Sequence, residues 1–334
     1  SSTPDIQQKM LNKIQVESVE QLFKIVPDNI RLKYPMNIQS PMSELEITDQ
    51  MNILGNKSNP ANNGINFLGS GIYDHFIPAA VDLITSRSEF YTAYTPYQPE
   101  VSQGTLQSLY EFQTMICELS GMDVANASLY DGASALSEAC MLATKVTRNQ
   151  KILVSNSVYS HYLNVLNSLQ GNNQIKIEKL PIIDCVTDLS KITDLDNVAA
   201  VIIQSPNKYG ILESWKETAK YLSDSQSLLI AVSNPLMLNL IEAPGICGAD
   251  IYIGEGQSLG NPINYGGPCL GLMAVKLNLM RRMPGRIVGR TVDKSGKEGF
   301  VLTLQTREQH IRRENAASNI CTNQGLLALR ATLY

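Results

Sequence analysis

Apolar positions recur with a helical period early in this chain and gather into short blocks later. From Ser102 to Ser120, Leu106, Leu109, Phe112, Ile116 and Leu119 fall three or four residues apart, which predicts a helix with one face on a core. Ser102 can cap its start and Gly121 can end it. Beyond Met122 the apolar blocks predict strands at Val124 to Leu129, Lys151 to Ser155, Gln174 to Lys179, Ala199 to Gln204, Leu228 to Val232, Ile251 to Gly254 and Gly271 to Val275. Helical patterns over Ala133 to Arg148, Val158 to Leu169 and Glu213 to Ser223 lie between them. Strands separated by helices build crossover units, so an α/β fold with a mainly parallel sheet between helices is expected.

Residues 1–65 read differently. Ser18 and Gln21 have capping-box spacing, Pro27 should stop that helix, and a second helix is expected near Met42 to Leu54 among Pro35, Pro41, Pro60 and turn-forming Asn and Gly. This stretch should wrap as a helical arm, with a large domain over 66–322. A helix starting near Asn323 reaches Tyr334 without a Gly or Pro stop, which reads as a truncated chain whose small C-terminal domain is mostly absent.

At 334 residues the chain can bury a substantial core, and no apolar run approaches the roughly 18 residues of a membrane span. The polar start, Ser1 to Gln8, lacks a secretory h-region, so a cytoplasmic location is expected. Six cysteines stand singly, without metal or redox spacing, and are read as buried structural thiols. A net charge of -4 argues against nucleic acid. The local exception is Arg281, Arg282, Arg286 and Arg290, followed by Arg307, Arg312 and Arg313.

Three motifs carry candidate chemistry. In Tyr130-Asp-Gly-Ala-Ser134 a strand meets a helix, and the free amides around Gly132, Ala133 and Ser134 suit either an anion or a plain N-cap turn; the Asp131 carboxylate would oppose an anion. The loop Phe90 to Glu100, with Tyr91, Tyr94, Tyr97 and two prolines, suits a site wall, an interface or a buried structural loop. Arg307 to Asn315 is densely charged; its arginines could form a solvated face or grip carboxylates, and His310 could be a base or a structural group. No nucleophile elbow, Walker loop, dinucleotide fingerprint or metal-spaced His pair is present.

Four segments together resemble the glycine dehydrogenase (decarboxylating) family, the P-protein of the glycine cleavage system: Phe67-Leu-Gly-Ser-Gly-Ile-Tyr-Asp-His75, Tyr91 to Gly104, Asn126 to Ser134, and Arg282 to Asp293 continued by Leu304 to Glu314 and Ser318 to Gln324. The resemblance points to the α-type chain, subunit 1, of the split form. It implies a fold-type-I pyridoxal-phosphate-dependent transferase fold, a β-type partner in an α2β2 assembly, and a reaction that decarboxylates glycine and passes its aminomethyl group to the lipoyl arm of H-protein. It also implies that the cofactor sits on the partner. From Tyr221 to Val275 this chain has no lysine, and Gln257 matches the position of the partner's Schiff-base lysine. A carboxamide cannot form an internal aldimine. Asn234 stands where a carboxylate would pair with the pyridinium, and Tyr159 near a ring-stacking His.

The resemblance thus implies a chain without catalytic residues of its own. Tyr94, Thr95, Tyr97, Gln98 and Glu100 are candidates for a shared wall, and the Arg282 and Arg286 cluster for docking H-protein or partner carboxylates. Competing readings are an independent enzyme using Lys208 or Lys276, and a free-standing scaffold.

Overall fold

A computed structural model describes residues 3–58, 64–65, 67–170, 175–304, 318 and 320–334. The chain divides into two compact units, Ser1–Pro60 and Ala61–Tyr334.

In the first unit, α1 (Pro4–Lys13) starts on Thr3, whose hydroxyl accepts from Ile6 N, and α2 (Glu44–Gly55) starts on a full capping box between Ser43 and Glu46. The Ser18 cap does not form. Val19–Phe23 closes as a 3-10 turn in which Gln21 N–H donates to the Ser18 backbone carbonyl at 3.2 Å, while the Gln21 carboxamide oxygen accepts from Glu17 N. Among the described residues of this unit only Leu11 is a buried hydrophobic, whereas Ile25 is 85% and Ile30 71% exposed. A segment this apolar with almost nothing buried cannot offset its ordering entropy from contacts of its own.

The second unit opens with α3 (Ala79–Thr85) and α4 (Ser88–Tyr91), then α5 (Gln103–Ser120), which buries Leu106, Leu109, Phe112 and Ile116 and ends at Gly121 with φ +67°. Ser102 occupies the cap position without a side-chain bond; Gln103 Nε2 instead donates to the carbonyls of Pro99 and Phe300. The remaining α-helices among the described residues are α6 (Gly132–Thr147), α7 (Ser160–Gln170), α8 (Trp215–Tyr221) and α9 (Gly325–Leu333).

The strands are β1 (Val124–Ala125), β2 (Lys151–Ser155), β3 (Lys176–Leu180), β4 (Ile182–Ile183), β5 (Val186–Thr187), β6 (Val198–Gln204), β7 (Leu228–Val232), β8 (Ile251–Glu255), β9 (Gly271–Val275), β10 (Ile287–Val292) and β11 (Glu298–Thr303). Seven form one sheet in the order β1-β9-β8-β7-β6-β2-β3, parallel from β8 to β3 and antiparallel at β9 and β1. Every residue of β6 is buried, and its period-two alternation feeds two cores. Val201 and Ile203 pack in the core that holds Leu106 and Phe112 of α5, while Ala200 and Ile202 pack in the core that holds Leu136 of α6 and Leu166 of α7.

Three expectations change. Only Val124–Ala125 of the first expected strand pairs continuously, because Ser128 takes φ +89° and Leu129 returns to Gly271 as a single bridge. The hairpins β4–β5 and β10–β11 were not expected; in β10–β11 the turn is organised by Asp293, whose carboxylate accepts from Ser295 N, Ser295 Oγ and Lys297 N. Cys140 and Cys247 are buried thiols, but Cys321 is exposed and Cys117, Cys185 and Cys269 are half-buried. Among the described residues no helix is long and apolar enough to cross a membrane.

Because β2, β6, β7 and β8 are parallel, the turns that follow them open along one edge, where ligands of such sheets bind.

Candidate active-site region

The buried strand β8 delivers Glu255 and, two residues on, Gln257. Gln257 is 1% exposed, and its carboxamide is fully engaged: Oε1 accepts from Tyr73 N at 2.8 Å, and Nε2 donates to the carbonyls of Tyr73 at 3.0 Å and Asn261 at 2.7 Å. The two bonds to Tyr73 clamp the segment Phe67 to His75 over the strand end. His75 Nε2 accepts from Gly260 N at 3.1 Å beside it.

The start of α6 lies alongside. Asp131 caps it through Oδ1, which accepts from Ser134 N at 2.7 Å, and Oδ2, which accepts from Ser134 Oγ at 2.9 Å. Gly132 N donates to Glu255 Oε2 at 2.9 Å, and a Cβ on Gly132 would sit 2.0 Å from the Tyr162 hydroxyl oxygen, so close packing requires glycine. The helix-start donors at Gly132 and Ser134 thus already hold carboxylates of this chain, and of the two sequence readings the N-cap turn is the one realised. Burial pushes the Glu255 carboxyl up to about 7, although Leu270, Gly132 and Gln257 N–H groups all favour its ionised form.

Tyr159 stacks on His161 at 5.6 Å, donates its N–H to Gln204 Oε1 and shares a 3.1 Å hydroxyl contact with Tyr73. Desolvation, with Tyr73 adjoining, raises the Tyr159 phenol. Asn234 follows β7; its Oδ1 accepts from Leu236 N at 2.9 Å and from Ser258 Oγ at 3.2 Å. Between Tyr159, Tyr162, Asn234 and Glu255 the open space is ≈ 10 Å³, at the lower limit for a single water. Beside it a cavity of ≈ 510 Å³ is lined by Tyr73, Tyr159, Asn234, Lys208, Phe67 and Met237, among others.

Of the two lysines considered from sequence, Lys208 therefore faces this region. Lys276 does not: its Nζ pairs with Asp250 at 2.7 Å, beside the opposite end of β8.

The tyrosine loop forms a second feature. Tyr91 is 67% and Tyr94 87% exposed, which rules out a buried loop. Tyr94 and Thr95 line a cavity of ≈ 190 Å³ with Thr322 and Asn323. Arg286 stacks on Tyr97 at 5.3 Å, donates to its hydroxyl at 3.0 Å, and donates to Thr322 Oγ1 and Asn323 Oδ1. Gln98, Glu100 and Arg282 are exposed and outside this cluster. His310, with Arg307, Arg312 and Arg313, lies outside the described residues. Sequence reading missed Tyr73, Glu255, Thr322 and Asn323; only the capping carboxylate of Asp131 left a local signal.

The sequence profile described as Glycine cleavage system P-protein matches residues 2–334. A probable glycine dehydrogenase (decarboxylating) subunit 1 from Carboxydothermus hydrogenoformans is 48% identical over 334 residues, covering 99% of this chain and 75% of that protein. The protein of the same description from Moorella thermoacetica is 50% identical, covering 98% and 74%. A crystal structure of glycine decarboxylase (P-protein) of the glycine cleavage system, in inhibitor-bound form, superposes with a TM-score of 0.88 at 42% identity, covering 100% of this chain and 75% of that one. The sphingosine-1-phosphate lyase of Burkholderia pseudomallei, at 11% identity and TM-score 0.61, shares the fold. Profile, sequence and backbone agreement each span nearly the whole chain, and the chain belongs to the glycine cleavage system P-protein family.

Proposed function

We propose that this chain is subunit 1, the lysine-lacking α subunit, of a glycine dehydrogenase (decarboxylating), and that it carries no catalytic amine of its own. The observation that carries the reading is the engagement of Gln257, whose nitrogen is an amide saturated by two carbonyl acceptors. Pyridoxal phosphate does not fit this chain where the resemblance would put it. Position 257 is an amide, Asn234 offers no carboxylate, and the α6 start amides that would meet a phosphate already hold Asp131 and Glu255. The cofactor accordingly belongs to a lysine-bearing β partner, where it supplies the electron sink for glycine decarboxylation.

This chain's part is to complete that site and exclude water from it. Tyr94 and Thr95 with the Arg286-braced Tyr97 offer a rigid wall of hydroxyl groups, and Phe67 at 92% and Leu68 at 85% exposure offer apolar surface for the partner to cover. Exposed Arg282 suits an acidic surface on the partner or on lipoylated H-protein. An α2β2 assembly is consistent with this surface, and nothing in the reading calls for nucleic acid or a membrane. Mixing the chain with its lysine-bearing counterpart and H-protein should produce glycine-dependent exchange of carbon dioxide that neither subunit gives alone. Full exchange by this chain alone would refute the assignment. One observation favours a second reading, an independent enzyme: Lys208 lines the larger cavity. A borohydride-reducible aldimine at Lys208 would establish it.

A further inference from the structure

Among its described residues the first unit exposes sixteen large hydrophobics and buries one, Leu11. They are not scattered. Ile30, Leu32, Tyr34, Met36 and Ile38 occupy alternate positions and are between 54% and 72% exposed, with Arg31, Lys33, Pro35, Asn37 and Gln39 between them. Period-two alternation over this length is the pattern of an extended segment with one apolar side. The stretch nevertheless belongs to no helix or strand, and from Leu32 to Gln39 the only backbone N–H with an acceptor among the described residues is that of Ile38, which donates to Met36 O at 2.9 Å. Helix α2 also lacks a covering surface. Ile47, Met51 and Leu54 make one stripe at i, i+4 and i+7, Leu45 and Ile53 lie on other faces, and no residue of the helix is buried although its capping box fixes its start. A helix apolar on several sides is one that packs enclosed. With roughly 100 Å² exposed on each, the sixteen residues together present on the order of 1,500 Å², well above the roughly 800 Å² per side of a standard interface. The unit carries six Lys and Arg against seven Asp and Glu, so no charge excess draws it to a nucleic acid or an anionic membrane, and apolar protein surface is what matches it. In sequence the exposed apolar series continues at Ile65, Phe67 and Leu68, the last two assigned above to the partner.

We infer that residues 30–55 are a docking arm: the even-numbered side chains of a strap over Ile30 to Ile38 lie on apolar surface of the lysine-bearing partner chain, and α2 is enclosed against that same chain. The inference rests on the subunit reading and adds the element that carries assembly. The ordering entropy that the arm cannot offset from its own contacts is offset when the partner covers it.

The test measures the dissociation constant of the full chain for its lysine-bearing counterpart by sedimentation velocity, in two variants of equal added charge. Met36→Asp with Ile38→Asp puts two carboxylates on the apolar side of the strap, whereas Asn37→Asp with Gln39→Glu puts two on the polar side. The first pair should weaken assembly by about a hundredfold or more and the second by no more than about threefold. Thermal midpoints of the free chains should equal the parent's, since all four side chains are exposed. Met51→Asp, on the α2 stripe, should weaken assembly by about tenfold, and no change there would remove α2 from the arm. Undiminished assembly of the first pair, or equal weakening by both, would overturn the strap. A lowered midpoint of the free Met36→Asp, Ile38→Asp chain would mean that this chain's own second unit covers the strap, and self-association of the parent that those substitutions abolish would mean that a second copy does; either would overturn the partner as occupant. Failure of the parent to assemble with its counterpart would instead refute the subunit reading, and this inference with it.

Discussion

At Gln257 both polar atoms of the side chain have partners and the adjoining space is ≈ 10 Å³, whereas across the same sheet edge the Lys208 cavity is ≈ 510 Å³ and keeps unused donors. The two regions lie along one sheet edge and share Tyr159 and Asn234, and they differ in burial and in where their hydrogen bonds go. On the closed side the chain supplies its own ligands: Asp131 and Glu255 stand at the α6 start, and the Tyr73 backbone meets the Gln257 carboxamide. On the open side the loop supplies one acceptor, Asn156 O, to Lys208 Nζ and holds it in place. One part of this edge is therefore closed by the chain's own groups while the part next to it stays open.

Substitutions should break this contrast unevenly. Gly132→Ala places a methyl 2.0 Å from the Tyr162 hydroxyl oxygen and should cost about 4 kcal/mol by urea denaturation, above the usual overpacking range because the helix start is pinned on both sides. Adding Tyr162→Phe should recover part of that loss. Gln257→Leu keeps the volume but leaves Tyr73 N–H and two carbonyls without partners, and should cost about 3 kcal/mol. A cost below about 1 kcal/mol would mean that the clamp on Phe67 to His75 is not structural.

The pH response of the closed side follows from Glu255, whose folded-state value of about 7 is raised above the ordinary 4.5 by burial. A carboxyl of that kind stabilises the fold fully below about 4.5 and loses that contribution as pH rises through about 7. The loss should reach at most about 3 kcal/mol for this group. Glu138, also raised to about 7 by burial, acts in the same direction. Unfolding midpoints at pH 5 and pH 8 should therefore differ less in Glu255→Gln than in the parent; an identical difference would remove Glu255 from the account. The smallest effect belongs to the open side: Gly210 has no atom within 4 Å of an added Cβ but takes φ +79°, so Gly210→Ala should cost only about 1 kcal/mol.

Much of the fold was legible because the signals were local. β2, β7 and β9 match their apolar blocks, and Gly121 ends α5 as its position suggested. The β10–β11 hairpin escaped because Arg282, Arg286 and Arg290 read as a charge cluster, although Asp293 to Gly296 is a turn sequence that the structure uses. The site was legible in chemistry and not in contacts. Gln257 and Asn234 were singled out by residue type, but the clamp joins Gln257 to Tyr73 across 184 residues, and Arg286 meets Tyr97 across 189. No periodicity carries pairings of that range. The Asp131 carboxylate was visible as an obstacle to an anion; that Glu255 joins it depends on sheet order, which places β8 beside β9 and under α6.

The most direct measurement is borohydride reduction of the assembled complex with pyridoxal phosphate, followed by peptide mapping of the pyridoxyl group. All of the label should fall on a lysine of the partner and none on this chain. A pyridoxyl group on Lys208, or on any other lysine of this chain, at a stoichiometry matching the partner's would contradict it.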